Sequence, residues 1–219
     1  MPCTWPDKPP AYPTINFEPY YTGWLHEINK PAGEEPPANS ARDNYFARAQ
    51  MYGSVLSGGL SGHVHGTAAY DITTTGEPAG ARPHIWDALN YQSANYMQHL
   101  QAFVLSEGRR YQELLLASDD ISVRKAPGSP EDGLDGWSYM MRTADKDFAL
   151  LYFENKSVVP DLSGFTPGAT YTLRWFDPIK GQWQPSQSIT ANSEGTLRLP
   201  GFVQGEQISS RDWAAKITR

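Results

Sequence analysis

The chain has 219 residues, 39% of them hydrophobic and 12% aromatic, enough apolar surface for one sizeable core or two small ones. A net charge of −6, a pI near 5.3 and no run of Lys or Arg leave no electrostatic footprint for nucleic-acid phosphates or anionic lipid, so neither nucleic acid nor membrane is expected as a partner. No stretch approaches the roughly 18 apolar residues that span a bilayer. Met1 is followed by Pro2, Trp5 and Pro6 rather than by a basic and then apolar leader, so the chain carries no address of its own. A lone cysteine, Cys3, excludes an internal disulfide and any multi-cysteine metal site, and leaves the compartment open.

In chain order, the Pro-rich residues 1–11 read as a linker or loop that enters a first strand, Tyr12 to Phe17, with Ile15 and Phe17 on one face. That strand ends at Glu18-Pro19. Residues 22–39 hold too many breakers for a regular element (Gly23, Pro31, Gly33, Pro36, Pro37) and read as a long loop of the kind that carries function. Ser40 is placed to cap an amphipathic helix that buries one face through Tyr45, Ala49, Tyr52 and Leu56 and stops at Gly58-Gly59. Leu60 to His65 follows as a glycine-flanked strand, then a loop over 66–82. Ser93 is read as the cap of a helix with Tyr96, Met97, Leu100, Phe103 and Val104 on one face, closed by Gly108.

Strand, helix, strand, helix argues for parallel strands with right-handed crossovers, yet two such units close neither a sheet nor a barrel. After Asp120 the pattern becomes seven short alternating runs: Ile121 to Lys125, Trp137 to Arg142, Phe148 to Phe153, Thr170 to Phe176, Gln182 to Ser188, Thr196 to Leu199 and Trp213 to Ile217. With turn residues such as Asp145-Lys146-Asp147 and Pro167-Gly168 between them, they predict an antiparallel sandwich. The expected fold class is α/β followed by all-β, with domains over 1–118 and 119–219.

A carboxylate at the C-terminal end of a barrel strand stands where barrel enzymes assemble their sites, and Glu18 has that position. Retaining glycosidases need one carboxylate as nucleophile and another as acid/base about 5 Å away. The plainer alternative is that Glu18 pairs with a cation or caps the following loop. Tyr20, Tyr21, Trp24 and Trp86 are candidate platforms for sugar rings, whose C–H faces stack on aromatics. His63 and His65, two apart in a strand, share a face and read as substrate contacts or buried hydrogen-bonding groups rather than metal ligands; Asp71 and His84 are the only guesses for a third ligand, so no metal and no cofactor are expected.

The segments Pro13-Thr14-Ile15-Asn16-Phe17-Glu18-Pro19-Tyr20-Tyr21, Arg42 to Gly66 and Trp86 to Phe103 together resemble the last third of the apiosidase-like glycoside hydrolases. Residues 121–219, through Trp175-Phe176-Asp177-Pro178, Gly181 and Asp212-Trp213, resemble the domain with a collagen-binding label that commonly follows them. The resemblance implies the closing strands and helices of a (β/α)8 TIM barrel, with Glu18 as nucleophile on the seventh strand and residues 58–66 as the eighth. It favours substrate contact for His63 and His65, and implies an oligosaccharide or polysaccharide substrate and a secreted or periplasmic protein. The acid/base carboxylate of such enzymes follows the fourth strand, which has no counterpart in this sequence. The expected function is therefore the carboxyl-terminal part of a retaining O-glycosidase acting on polysaccharide side chains. The alternative is a non-catalytic carbohydrate- or protein-binding module with a barrel remnant.

Overall fold

A computed structural model of the chain describes residues 14–23, 36–67, 85–129 and 133–219. Among the described residues, three α-helices, α1 (Ala41–Leu56), α2 (Ile85–Ala88) and α3 (Ser93–Val104), precede nine strands: β1 (Leu114–Leu116), β2 (Ser138–Thr143), β3 (Phe148–Phe153), β4 (Asp161–Leu162), β5 (Thr170–Asp177), β6 (Gln182–Trp183), β7 (Gln187–Thr190), β8 (Leu197–Arg198) and β9 (Trp213–Thr218). Seven strands form one antiparallel sheet in the order β1-β2-β3-β9-β5-β6, with β7 also paired to β5, while β4 and β8 form a separate pair. The molecule is thus mixed α/β, with few helices and a mostly antiparallel sheet.

The sandwich expectation needs correction in one respect. One face of the seven-stranded sheet is covered by helices and only the other by the small β4/β8 pair. Alternation along β3 makes both coverings possible: Phe148, Leu150 and Tyr152 enter the helix-side core, whereas Ala149, Leu151 and Phe153 enter the core on the opposite side. A strand buried on both faces reads as an unbroken apolar run, as β3 does.

Four of the seven expected runs become single strands close to their predicted bounds: β2, β3, β5 and β9. The run Gln182 to Ser188 instead divides into β6 and β7 around Pro185, which has no N–H to donate to a ladder. Ile121 to Lys125 contributes only isolated bridges, Ile121 to Leu162 and Lys125 to Trp137, and Thr196 to Leu199 contracts to the two residues of β8. Strands β1 and β4, of three and two residues, carry too short a pattern to be read from sequence.

Helix α1 starts where expected, with Ser40 Oγ accepting the Asp43 N–H at 3.3 Å. It differs in being buried almost all round rather than on one face: twelve of its sixteen residues are buried. The stripe of Tyr45, Arg48, Tyr52 and Leu56 faces the sheet, where the Tyr52 and Tyr152 rings stack at 4.8 Å between centroids. Arg48 is the key to this contact. Its guanidinium makes a fork to Asp212, Nε to Oδ2 and Nη2 to Oδ1, both at 2.9 Å, and the Tyr152 hydroxyl donates to the same carboxylate at 3.2 Å. The side chains of the pair are only 5% and 1% exposed. Tyr96 of α3 closes over the guanidinium at 4.7 Å.

Ser93 proves to be the first residue of α3 rather than its cap, a place held by Gln92. The α-helix gives way at Leu105 to a 3-10 stretch that includes Gly108 at φ 60°. The turn after β5 supplies its docking site. Asp177 Oδ1 accepts the N–H groups of Ile179 and Lys180 at 3.0 and 3.1 Å, and Gly181 lies against the His99 ring, where a Cβ would come within 2.5 Å. His99 Nδ1 in turn bonds the Pro178 carbonyl at 2.9 Å.

Removing one partner of a buried fork strands the other charge, which costs about 3–5 kcal/mol. Asp212→Asn is therefore expected to lower the unfolding free energy by that amount in urea titrations. A paired replacement of Arg48 by Met and Asp212 by Leu should recover most of it. A loss for Asp212→Asn of no more than about 1 kcal/mol, the worth of an exposed ion pair, would contradict this account.

Candidate functional site

The two extended segments of the amino-terminal half run side by side and parallel, as the strand-helix-strand pattern predicts. Asn16 bridges His63 and Thr22 bridges Thr67, both in parallel sense, with Ser61 N–H donating to the Thr14 carbonyl at 3.1 Å and Val64 N–H to that of Asn16 at 3.3 Å. The contact consists of bridges rather than a continuous ladder. Between the two bridges the first segment takes six steps and the second only four. The first segment thus carries two residues more than its partner and must bulge, and Glu18 lies in that stretch, where the backbone bends at residues 17 and 18. Bulges re-aim side chains and disrupt pairing in this way, often beside sites.

The bulge is held by its own side chains and by α1. Asn16 Oδ1 accepts the Glu18 N–H at 3.1 Å, while Asn16 Nδ2 donates to Ser54 Oγ at 2.9 Å. Gln50 Oε1 takes the Tyr20 N–H at 2.8 Å. Asp43 receives the Tyr20 hydroxyl, the Gly23 N–H at 2.9 Å and the Asn39 N–H at 2.6 Å. Residues 43, 50 and 54 are seven and four apart, so they form one stripe along the helix, opposite the stripe of Arg48 and Tyr52. Helix α1 therefore holds the Glu18 segment with one side and the sheet with the other.

Among the expected site residues, Glu18 is exposed at the bulge. Tyr20 is not a rim residue: it is 3% exposed, its ring meets Phe46 edge-on at 5.5 Å, and its hydroxyl is spent on Asp43. Tyr21 is half-buried against Gly66, where any Cβ would approach its ring to 2.5 Å. His63 is buried and His65 half-buried. Trp86 is 49% exposed on α2, in the segment that leads to the shared amino-terminal end of α1 and α3, where Gln92 N–H donates to Asn39 Oδ1 at 3.1 Å. Trp24, Asp71 and His84 lie outside the described residues.

Asp43 and Gln50 were not singled out as site residues from sequence. Polar residues recurring at 43, 50 and 54, on one face of the helix, are the signal that could have found them. Burial pushes the Asp43 carboxyl up, against the hydrogen bonds from Gly23, Tyr20 and Asn39 that lower it. Since it accepts all three, its oxygens are engaged in holding the loop rather than free for chemistry.

Burial, with a smaller contribution from His65, pushes the His63 imidazole down to about 4, and burial also lowers His65. His63 Nδ1 is buried without a hydrogen-bond partner. A neutral ring can sit there at modest cost, a cation cannot. Among the described residues, no three His, Cys, Asp or Glu side chains converge as a metal site would require.

Residues 5–110, just under half of the chain, match the family model described as apiosidase-like, catalytic domain. The similarity read from sequence holds over that segment, and the match does not extend over 121–219. No curated protein matches the chain. Two solved structures share its fold: a glycoside hydrolase at TM-score 0.67 and 19% identity, covering 96% of this chain and 43% of its own, and a glycoside hydrolase family 5 protein from Bacteroides vulgatus at TM-score 0.64 and 20% identity, covering 96% and 42%. The chain thus spans less than half the length of the glycoside hydrolases it matches.

A histidine whose folded pKa lies below its unfolded value adds stability that is complete above the unfolded pKa and is lost as pH falls toward the folded one. His63 should accordingly give no titration step above pH 5 in NMR spectra of the imidazole, with a midpoint near 4. A midpoint at the ordinary 6.5 would place the ring in water and contradict the buried arrangement.

Proposed function

We propose that the chain supplies the carboxyl-terminal part of a retaining O-glycoside hydrolase, with Glu18 as the nucleophilic carboxylate. The observation that carries this reading is the bulge. An exposed glutamate lies in the bulged stretch between two parallel bridges, within a segment that matches an apiosidase-like catalytic domain. On this reading the parallel pair, with α1 and α3 behind it, belongs to the end of a (β/α)8 barrel, and residues 119–219 form a carboxyl-terminal domain whose sheet also takes in β1 and packs one face on α1 and α3. The resemblance of both solved structures to the chain supports that architecture.

In the reaction, the Glu18 carboxylate attacks the anomeric carbon and displaces the aglycone oxygen, forming a glycosyl ester that water then hydrolyses. The aglycone needs a proton as it leaves, and a second carboxylate about 5 Å away supplies it. Asp43 does not fit that role because Tyr20, Gly23 and Asn39 occupy it. We assign the acid to the part of the barrel that the chain does not contain. Tyr21, Trp86, His65 and Trp24 remain the candidate sugar contacts, while His63 is buried. The substrate class is an oligosaccharide or a polysaccharide side chain, with neither metal nor cofactor required by the two-carboxylate chemistry.

Positioned acid/base groups contribute on the order of 10²- to 10⁴-fold, and substrate positioning contributes separately. The 219-residue chain alone is therefore expected to hydrolyse neither aryl glycosides nor pectic oligosaccharides. In the longer protein, Glu18→Gln should abolish turnover and leave the fold intact, since the amide keeps the shape and loses the nucleophile. Wild-type turnover in that variant would remove Glu18 from the mechanism. Cleavage by the isolated chain would show that the second carboxylate lies within it.

A further inference from the structure

The far side of the sheet, away from Glu18, also carries a concave surface. A cavity of about 280 Å³ opens there, lined by Trp175 of β5, Gln184 and Pro185 between β6 and β7, Gln187 of β7, and Phe202 and Gln204 of the turn at 200–205. It is close to the lower end of small-molecule sites, which run about 300–1,000 Å³.

The chemistry of the lining is specific in kind. No charged residue contributes to it, which disfavours an anionic or cationic ligand. Its polar side chains are amides, each of which both donates and accepts, and an indole, which only donates. Trp175 is 1% exposed and wedged between Phe153 and Phe202, whose ring centroids lie at 5.7 and 5.5 Å. Its Nε1 N–H is buried without a partner. A buried indole donor normally finds an acceptor, and the protein offers this one none. Gln204 meanwhile adopts φ 73°, a left-handed conformation unfavourable for a residue other than glycine, between Gly201 at 121° and Gly205 at 81°.

We propose that this cavity binds one ring of a neutral saccharide, whose hydroxyls match the mixed donors and acceptors of the Gln184, Gln187 and Gln204 side chains, with Trp175 at the cavity wall as the reporter of occupancy. The C–H face of the ring packs on Pro185. The site anchors a sugar chain without cleaving it, since the lining has no carboxylate to attack or protonate a glycosidic bond.

The test is an NMR titration of the ¹⁵N-labelled 219-residue chain with cellotetraose, xylotetraose and galactotetraose, following the assigned Trp175 indole resonance. At least one sugar is expected to shift that resonance saturably in the millimolar range. Gln187→Ala, at an exposed position, should weaken binding about three- to tenfold with an unchanged melting temperature, the size of effect that loss of one hydrogen bond produces. Glu18→Gln should bind as the wild type does, so failure here and failure of the catalytic reading are separable. The proposal is overturned if no sugar moves the Trp175 resonance, if Gln187→Ala and Gln184→Ala both bind with wild-type affinity, or if a proline-rich peptide shifts the resonance and no sugar does.

Discussion

The fork from Arg48 to Asp212 is the interaction on which the rest of the arrangement depends. A guanidinium with 5% of its side chain exposed cannot remain there without a carboxylate, and a fork has one geometry in which both N–H groups are satisfied. Because Asp212 immediately precedes the central strand β9, the pair ties the rotation of α1 to the middle of the sheet. Tyr52 on Tyr152 and His99 on the turn after β5 complete the docking of α1 and α3.

Once α1 is fixed in rotation, its opposite stripe is fixed too. Asp43, Gln50 and Ser54 then meet the loop and the bulge at set heights, and the backbone around Glu18 is held at Asn16, Tyr20 and Gly23. A carboxylate intended to attack a carbon must be held within a fraction of an ångström, and side chains supported by a packed helix do this better than a loop alone. The sheet is thereby linked to the candidate site through one helix, although it contributes no residue to the bulge.

Much of this was legible in the sequence where a local rule has a strong signal. Ser40 with the spacing of Tyr45, Ala49, Tyr52 and Leu56 marks α1, and alternating runs mark β2, β3, β5 and β9. The parallel sense of the two segments around Asn16 and His63 follows from the crossover between them. What could not be read depends on partners distant in sequence. Tyr20 looks like a stacking platform among other aromatics, but its burial is decided by Asp43, 23 residues away. The second buried face of α1 is decided by Asp43, Gln50 and Ser54 meeting residues 16–23, and the Arg48–Asp212 fork on the predicted face spans 164 residues. The covering of one sheet face by helices is invisible to alternation, which shows that a face is buried but not what buries it. The bulge itself is a difference of register between two segments, a quantity neither of them carries alone.

The central claim, that Glu18 is the residue that bonds to the sugar, is tested most directly by covalent capture. Incubation of the longer protein with a 2-deoxy-2-fluoro glycoside bearing an activated leaving group slows hydrolysis of the glycosyl ester more than its formation, and proteolysis with mass spectrometry then locates the label. The account predicts one glycosyl increment, on the peptide that contains Glu18, released when the ester is cleaved at alkaline pH. A label on any other carboxylate, with Glu18 unmodified and the enzyme inactivated, would contradict it.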